Sequence, residues 1–152
     1  MGVRSGLESV LVGVAGEYFV AAELSSRGYL ASITLRNSRG IDIIASNSDA
    51  SRSVSIQVKT SSGTNPKWIL SEKSEKLSSP NHYYVFVLLG TLGSRPDFYI
   101  VPSKVVAKYV TLKYRQWIAN PKADGSPRKE SAMRNFRDKD GQYKEAWELL
   151  SL

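Results

Sequence analysis

The stretch Val54-Ser55-Ile56-Gln57-Val58-Lys59 alternates apolar and polar residues without a break. A period of two predicts a β-strand with Val54, Ile56 and Val58 on one face and Ser55, Gln57 and Lys59 on the other. Gln57 and Lys59 then project side by side, about 7 Å apart at the backbone. An ordinary amphipathic strand showing its polar face to water has the same pattern, so neighbours must decide. Upstream lies a polar turn, residues 47–52, and before it the strand-like run Ile41-Asp42-Ile43-Ile44-Ala45. Asp42 heads an otherwise apolar run, a place where aspartate also serves as a turn residue after glycine. A hairpin through the 47–52 turn would bring Asp42 alongside Gln57 and Lys59.

Further upstream, residues 5–27 read as one helix closed by Gly28. Its apolar or small stripe falls at Val10, Gly13, Val14, Val20, Ala21 and Leu24, with Glu17 in the middle. A carboxylate on the face turned to a sheet is costly unless it is paired, hydrogen-bonded or bound to a metal. Pairing with an arginine or capping a loop is the plainer account of Glu17, and a metal the sharper one.

Downstream, strands are expected at 30–35, 67–70, 83–89 and 98–101, the third buried on both faces. Ser71 reads as the N-cap of a short helix to residue 77, and Pro102-Ser103 opens another to about 110. Residues 119–140 are polar and contain Pro and Gly, which predicts an extended loop, and 143–150 close the chain as a short helix. The order is that of an α/β domain with a mixed central sheet flanked by helices. Residues 1–152 read as one domain, with a motif-bearing core at about 5–101 and a basic part at 102–152.

The formal charge is +7, with 10 Lys/Arg against 8 Asp/Glu up to residue 101 and 11 against 6 beyond it. A basic surplus favours polyanionic partners. In the basic part, Lys113-Tyr114-Arg115-Gln116-Trp117 interleaves cations and aromatics. Helix packing is the first reading of Tyr114 and Trp117, a nucleic-acid surface the second. Arg128, Lys129, Arg134, Arg137 and Lys139 form a loose basic cluster. His82, the only histidine, lacks a partner set for a triad and reads as structural or surface. There is no cysteine, which excludes disulfides and thiolate metal sites and fits a reducing cytoplasm. Neither a membrane span nor a signal peptide or myristoylation pattern is present.

The series Gly16-Glu17, Leu24, Gly28-Tyr29, Arg36-Asn37-Ser38-Arg39-Gly40-Ile41-Asp42-Ile43-Ile44-Ala45 and Ile56-Gln57-Val58-Lys59 resembles the core of the PD-(D/E)XK nuclease superfamily. The pattern is similar to archaeal-type Holliday-junction resolvases and to restriction-like endonucleases that carry Gln-x-Lys. The resemblance covers roughly residues 13–62 and implies a restriction-endonuclease-like three-layer fold. It also implies Mg²⁺ or Mn²⁺ held by Asp42 and Glu17, with the Gln57 amide and the Val58 carbonyl nearby. Lys59 would orient or deprotonate the attacking water and counter transition-state charge. Where most members carry Asp or Glu, this chain has Gln57, one negative charge fewer. Arg36, Asn37, Ser38, Arg39, Thr60 and Ser62 would contact phosphates of the nucleic acid, DNA in the first instance. Two readings follow: an endonuclease hydrolysing phosphodiester bonds, or a weak or inactive nuclease-fold domain that only binds nucleic acid. Paired cuts would need two sites, so a homodimer is compatible with the first.

Overall fold

The structure is a computed structural model that describes residues 7–35 and 39–152. Helix α1 (Ser9–Ser26) leads into strands β1 (Leu30–Ile33), β2 (Ile43–Ser46) and β3 (Ser53–Ser61). Strand β4 (Lys67–Ser71) and a 3-10 turn (Glu72–Glu75) precede β5 (His82–Leu88) and β6 (Asp97–Pro102). Helix α2 (Ser103–Ala119), strand β7 (Met133–Arg137) and a 3-10 turn (Trp147–Leu150) complete the chain. Five strands form one sheet in the order β1-β2-β3-β5-β6. All its pairings are antiparallel except β3 with β5. The crossover between those two parallel strands carries β4 out of the sheet, where it pairs with β7 as a separate antiparallel ribbon.

The alternation in β3 sorts the core into two. Val54, Ile56 and Val58 face α1 and the terminal 3-10 turn, packing with Ile43, Ala45, Val20, Leu24 and Trp147. On the opposite side Tyr84 and Phe86 of β5 meet Trp68, Leu70 and Phe136 of the ribbon and Val106 and Val110 of α2. Strand β5 is therefore buried on both faces, as its unbroken apolar run predicts. Each large side chain fully withdrawn from water contributes about 1.5–3 kcal/mol before entropy is set against it. Trp68 keeps its ring nitrogen satisfied by donating to the Val87 carbonyl at 3.0 Å. The result is three layers, with α1 on one side of the mixed sheet and α2 plus the ribbon on the other.

Four expectations need correction. First, α1 buries Val12, Gly16, Val20 and Leu24, whereas Val10 is 55% exposed. The helix is apolar nearly all round, so its wheel does not single out one face. Glu17 lies half-buried beside the packed stripe rather than at its centre. Second, the segment after Ser71 is only a 3-10 turn, and Ser71 makes no side-chain cap; its carbonyl accepts from Ser74 Oγ at 2.6 Å. Third, α2 runs to Ala119, because its polar outer half stays helical in water beyond Val110. Fourth, the presumed loop 119–140 contains β7, and the presumed terminal helix is one 3-10 turn. The end of α1 conforms: Gly28 (φ +85°) donates to Ser25 O at 3.0 Å and Tyr29 to Leu24 O at 3.1 Å.

The carboxy-terminal segment is tied to α1 by charge. Arg95 bridges Glu23 and Glu145 at 2.8 and 2.7 Å, and Arg27 pairs with Glu23 while lying over the Trp147 ring. The Arg95 hydrogen bond is the largest influence on Glu23 and holds its carboxyl below the usual range. At Glu145 burial pushes upward most strongly, yet the Arg95 and Trp147 hydrogen bonds together carry it below normal. Carboxyls with depressed folded-state values stabilise above their unfolded pKa, and that contribution is lost as pH falls through the folded value. Arg95→Ala is therefore expected to cost about 1 kcal/mol at neutral pH, since these groups are partly exposed. Melting curves recorded from about pH 6 to about pH 3 should show the gap to wild type closing; a gap that widens would contradict this.

Candidate active site at the junction of strands β2 and β3

Hydrogen bonding on β3 explains why chemistry collects at its centre. Ser55 N–H donates to Asn81 O at 2.9 Å and Ser61 O accepts from Leu89 N at 2.9 Å, so odd-numbered residues bond towards β5. Even-numbered residues bond towards β2, where Ile56 O accepts from Asp42 N at 2.8 Å. Regular pairing ends there, because β2 begins at Ile43. The next even peptide, Val58, meets a side chain instead of a strand: its N–H donates to Asp42 Oδ2 at 2.7 Å. The Val58 carbonyl projects from the same edge. Asp42 Oδ1 accepts nothing among the described residues.

The Asp42 backbone is itself held from the other side. Its carbonyl accepts from Thr34 N at 2.9 Å, and Thr34 Oγ1 donates to Ile41 O at 2.6 Å. Gly40, at φ +66°, turns the chain into β2, and its open side faces the Gln57 amide. A side chain at 40 would be strained by that φ, although a Cβ there would meet Gln57 at ordinary contact distance. The β2–β3 hairpin thus sets Asp42 against the Val58 peptide, which lies between Gln57 and Lys59 in the chain.

Gln57 and Lys59 are half-buried and open into a cavity of about 660 Å³ together with Arg39, Lys73, Lys76 and Tyr84. Among the described residues its lining holds four cationic side chains and no carboxylate. Burial pushes the Tyr84 hydroxyl up to about 12, so it remains a neutral O–H at physiological pH. Lys59 also borders a second cavity of about 390 Å³ with Ser61, Ser62 and Lys67. Lys73 and Lys76 are not among the residues that the sequence singles out; the 3-10 turn after β4 brings them here.

The remaining expected residues divide. Arg39 lines the larger cavity and Ser62 the smaller. Arg36, Asn37 and Ser38 lie outside the described residues. The Thr60 hydroxyl is turned to the α1 side, enclosed and without a hydrogen-bond partner. It lies directly under Gly16, where a Cβ would overlap the Thr60 side chain outright. Thr60 also borders the smaller cavity, with its hydroxyl on the buried side. Glu17, the next helix residue, is half-buried.

His82 is buried, which corrects its reading as a possible surface residue, and its Nδ1 lies 2.8 Å from Ser55 Oγ. Burial pushes its pKa down, against the opposing pull of the Asp42 carboxylate, and keeps the ring neutral at physiological pH.

The donors at the junction are all oxygen, a set that suits a hard divalent cation. Among the described residues no group of three His, Cys, Asp or Glu side chains gathers to cage a metal. Asp42, supplemented by Gln57 and the Val58 carbonyl, fits an ion that keeps several waters, as Mg²⁺ does.

No protein-family model matches the sequence. No curated protein matches it either. Among solved structures, the chain is similar to the bacterial homing endonuclease I-Ssp6803I, with a TM-score of 0.55 over 95% of this chain and 92% of that one, at 14% identity. The likeness shows the fold: the chain has a restriction-endonuclease-like architecture.

Proposed function

We propose that this restriction-endonuclease-like chain is a divalent-metal-dependent endonuclease that hydrolyses phosphodiester bonds in nucleic acid, with DNA as its substrate. The observation that carries the reading is the Val58 N–H to Asp42 Oδ2 bond, which fixes one carboxylate at the peptide that lies between Gln57 and Lys59 in the chain. Asp42 and Glu17 would hold the metal, with Gln57 and the Val58 carbonyl as neutral oxygen donors. The bound ion would supply Lewis-acid polarisation of the phosphoryl oxygen and a more acidic water.

The chain's own residues do the rest. Asp42 cannot swing away, because its Oδ2 is anchored to the backbone and its peptide to two strands. Lys59, next to the Val58 peptide that holds Asp42, would orient the attacking water or carry charge complementary to the phosphorane-like transition state. Arg39, Lys73 and Lys76 would seat the flanking phosphates without a competing carboxylate in the cavity. Gln57 in place of an acid leaves the site less negative, so it draws a polyanion more readily and a metal less tightly. The bacterial homing endonuclease I-Ssp6803I is similar in fold, which supports DNA as the polymer.

The test is a cleavage panel of plasmid DNA, single-stranded DNA, four-way-junction DNA and duplex RNA with Mg²⁺ or Mn²⁺. Metal-dependent cutting of at least one DNA substrate is expected. Binding without cutting in either metal would replace this reading with the binding-only one.

A further inference from the structure

Apart from the reaction centre, the β4–β7 ribbon is the least explained part of the molecule. Its register pairs Lys67 with Arg137, Ile69 with Asn135 and Ser71 with Met133. These three pairs form its outward face, because Trp68, Leu70, Arg134 and Phe136 between them are buried. Two features of that face are unusual. Lys67 and Arg137 stand directly opposite one another with no ion pair among the described residues, an arrangement that costs stability in a bare sheet. Ile69 and Met133 are 64% and 53% exposed beside them.

We propose that this ribbon inserts into the major groove of duplex DNA, with Asn135 and Arg137 reading base edges and Lys67 beside them. The inference rests on the nucleic-acid reading above and extends it to the form of the polymer and to sequence discrimination. A two-stranded ribbon fits the B-form major groove, whereas the deep, narrow major groove of A-form RNA excludes it. Asparagine offers the paired donor and acceptor that match adenine, and arginine the fork that matches guanine N7 and O6. Exposed Ile69 and Met133 suit thymine methyl groups, the apolar feature of that groove. A second copy of the chain is the poorer occupant, because a two-fold contact there would bring Lys67 and Arg137 against their own counterparts.

The surroundings agree in charge and in position. The groove beside the ribbon is walled by Lys113, Tyr114 and Trp117 of α2 and has no carboxylate in its lining. Tyr114 stacks on Trp117, and Arg134 lies over Tyr114 with its guanidinium tied to Glu75 at 2.5 Å. Arg134 is thus a fixed part of the wall. Strand β4 also borders the reaction centre on both sides: Lys67 and Ile69 share a cavity with Lys59, and Leu70 and Ser71 share the other with Gln57. A duplex seated on the ribbon would pass that junction.

The experiment is selection of binding sites from a randomised duplex library in EDTA, using wild type, Asn135→Ala, Arg137→Ala and, as an off-ribbon control, Lys129→Ala. Wild type and the control should enrich a common site. Asn135→Ala should lose preference at an adenine and Arg137→Ala at a guanine, each by at least about tenfold. Unchanged melting curves would exclude misfolding, and methylation of guanine N7 at the affected position should block wild type but not Arg137→Ala. The proposal is overturned if both ribbon variants enrich the wild-type site, or if they change only the oligomeric state. It is also overturned if wild type cuts duplex DNA with Mg²⁺ yet enriches no site, which would leave the nuclease reading standing. A ribbon-dependent site without any cleavage would sustain the ribbon and remove the nuclease.

Discussion

Asp42→Asn should lower metal-dependent cleavage by about 10³-fold while leaving the fold intact. Asparagine keeps a side-chain oxygen to accept the Val58 N–H, so the 2.7 Å anchor survives while the negative charge is lost. Asp42→Ala would remove both, adding about 1–3 kcal/mol of destabilisation from an unsatisfied peptide N–H. Single-turnover rates and melting curves, measured on both variants, separate the two effects. Wild-type cleavage by Asp42→Asn would remove the carboxylate from the chemistry.

The largest effect on stability is expected at Gly16. Alanine is ordinarily the better helix residue by about 1 kcal/mol. At position 16, however, its Cβ would overlap Thr60 Oγ1 and come within 2.9 Å of Thr60 Cβ, which no rotamer change relieves. Helix α1 must lift from β3, opening contacts along Val12, Val20 and Leu24. Overpacking of this kind outweighs the helical gain by about 2 kcal/mol, a fall of roughly 4–8 °C in Tm. Gly13 provides the control, since nothing lies within 4 Å of a Cβ there and Gly13→Ala should raise Tm. Adding Thr60→Ala to Gly16→Ala removes Oγ1 and Cγ2 and should recover part of the loss. A Gly16→Ala protein that melts at or above wild type would contradict the close packing of helix on strand. Cleavage should fall as well, because Glu17 rides on the displaced turn.

Local patterning made much of this legible. The period-two run 54–59, the polar turn before it and Asp42 at the head of an apolar run together predict the β2–β3 junction. What the sequence concealed was non-local. Strand β4 is legible at 67–70, but its partner β7 lies some sixty residues on and has only Met133 and Phe136 as apolar residues, too few to stand out from a polar setting. Only their partnership makes Trp68 and Phe136 core residues. Similarly, α1 carries apolar residues on several faces, so the stripe containing Glu17 was indistinguishable from the true contact face until Gly16 met Thr60. Lys73 and Lys76 join the site because a 3-10 turn folds back over it, a placement that no periodicity records.

The central claim is that the junction of β2 and β3 hydrolyses phosphodiester bonds, and Lys59 tests it most directly. Lys59→Ala leaves the Asp42 carboxylate, the Gln57 amide and the Val58 peptide intact and removes the Lys59 side chain beyond Cβ with its ammonium group. The single-turnover rate of plasmid cleavage in excess Mg²⁺ is the measurement. The account predicts cutting by wild type that EDTA abolishes, and a loss of at least about 100-fold in Lys59→Ala at unchanged DNA binding. Equal rates for the two proteins, or wild-type cutting that persists in EDTA, would contradict it.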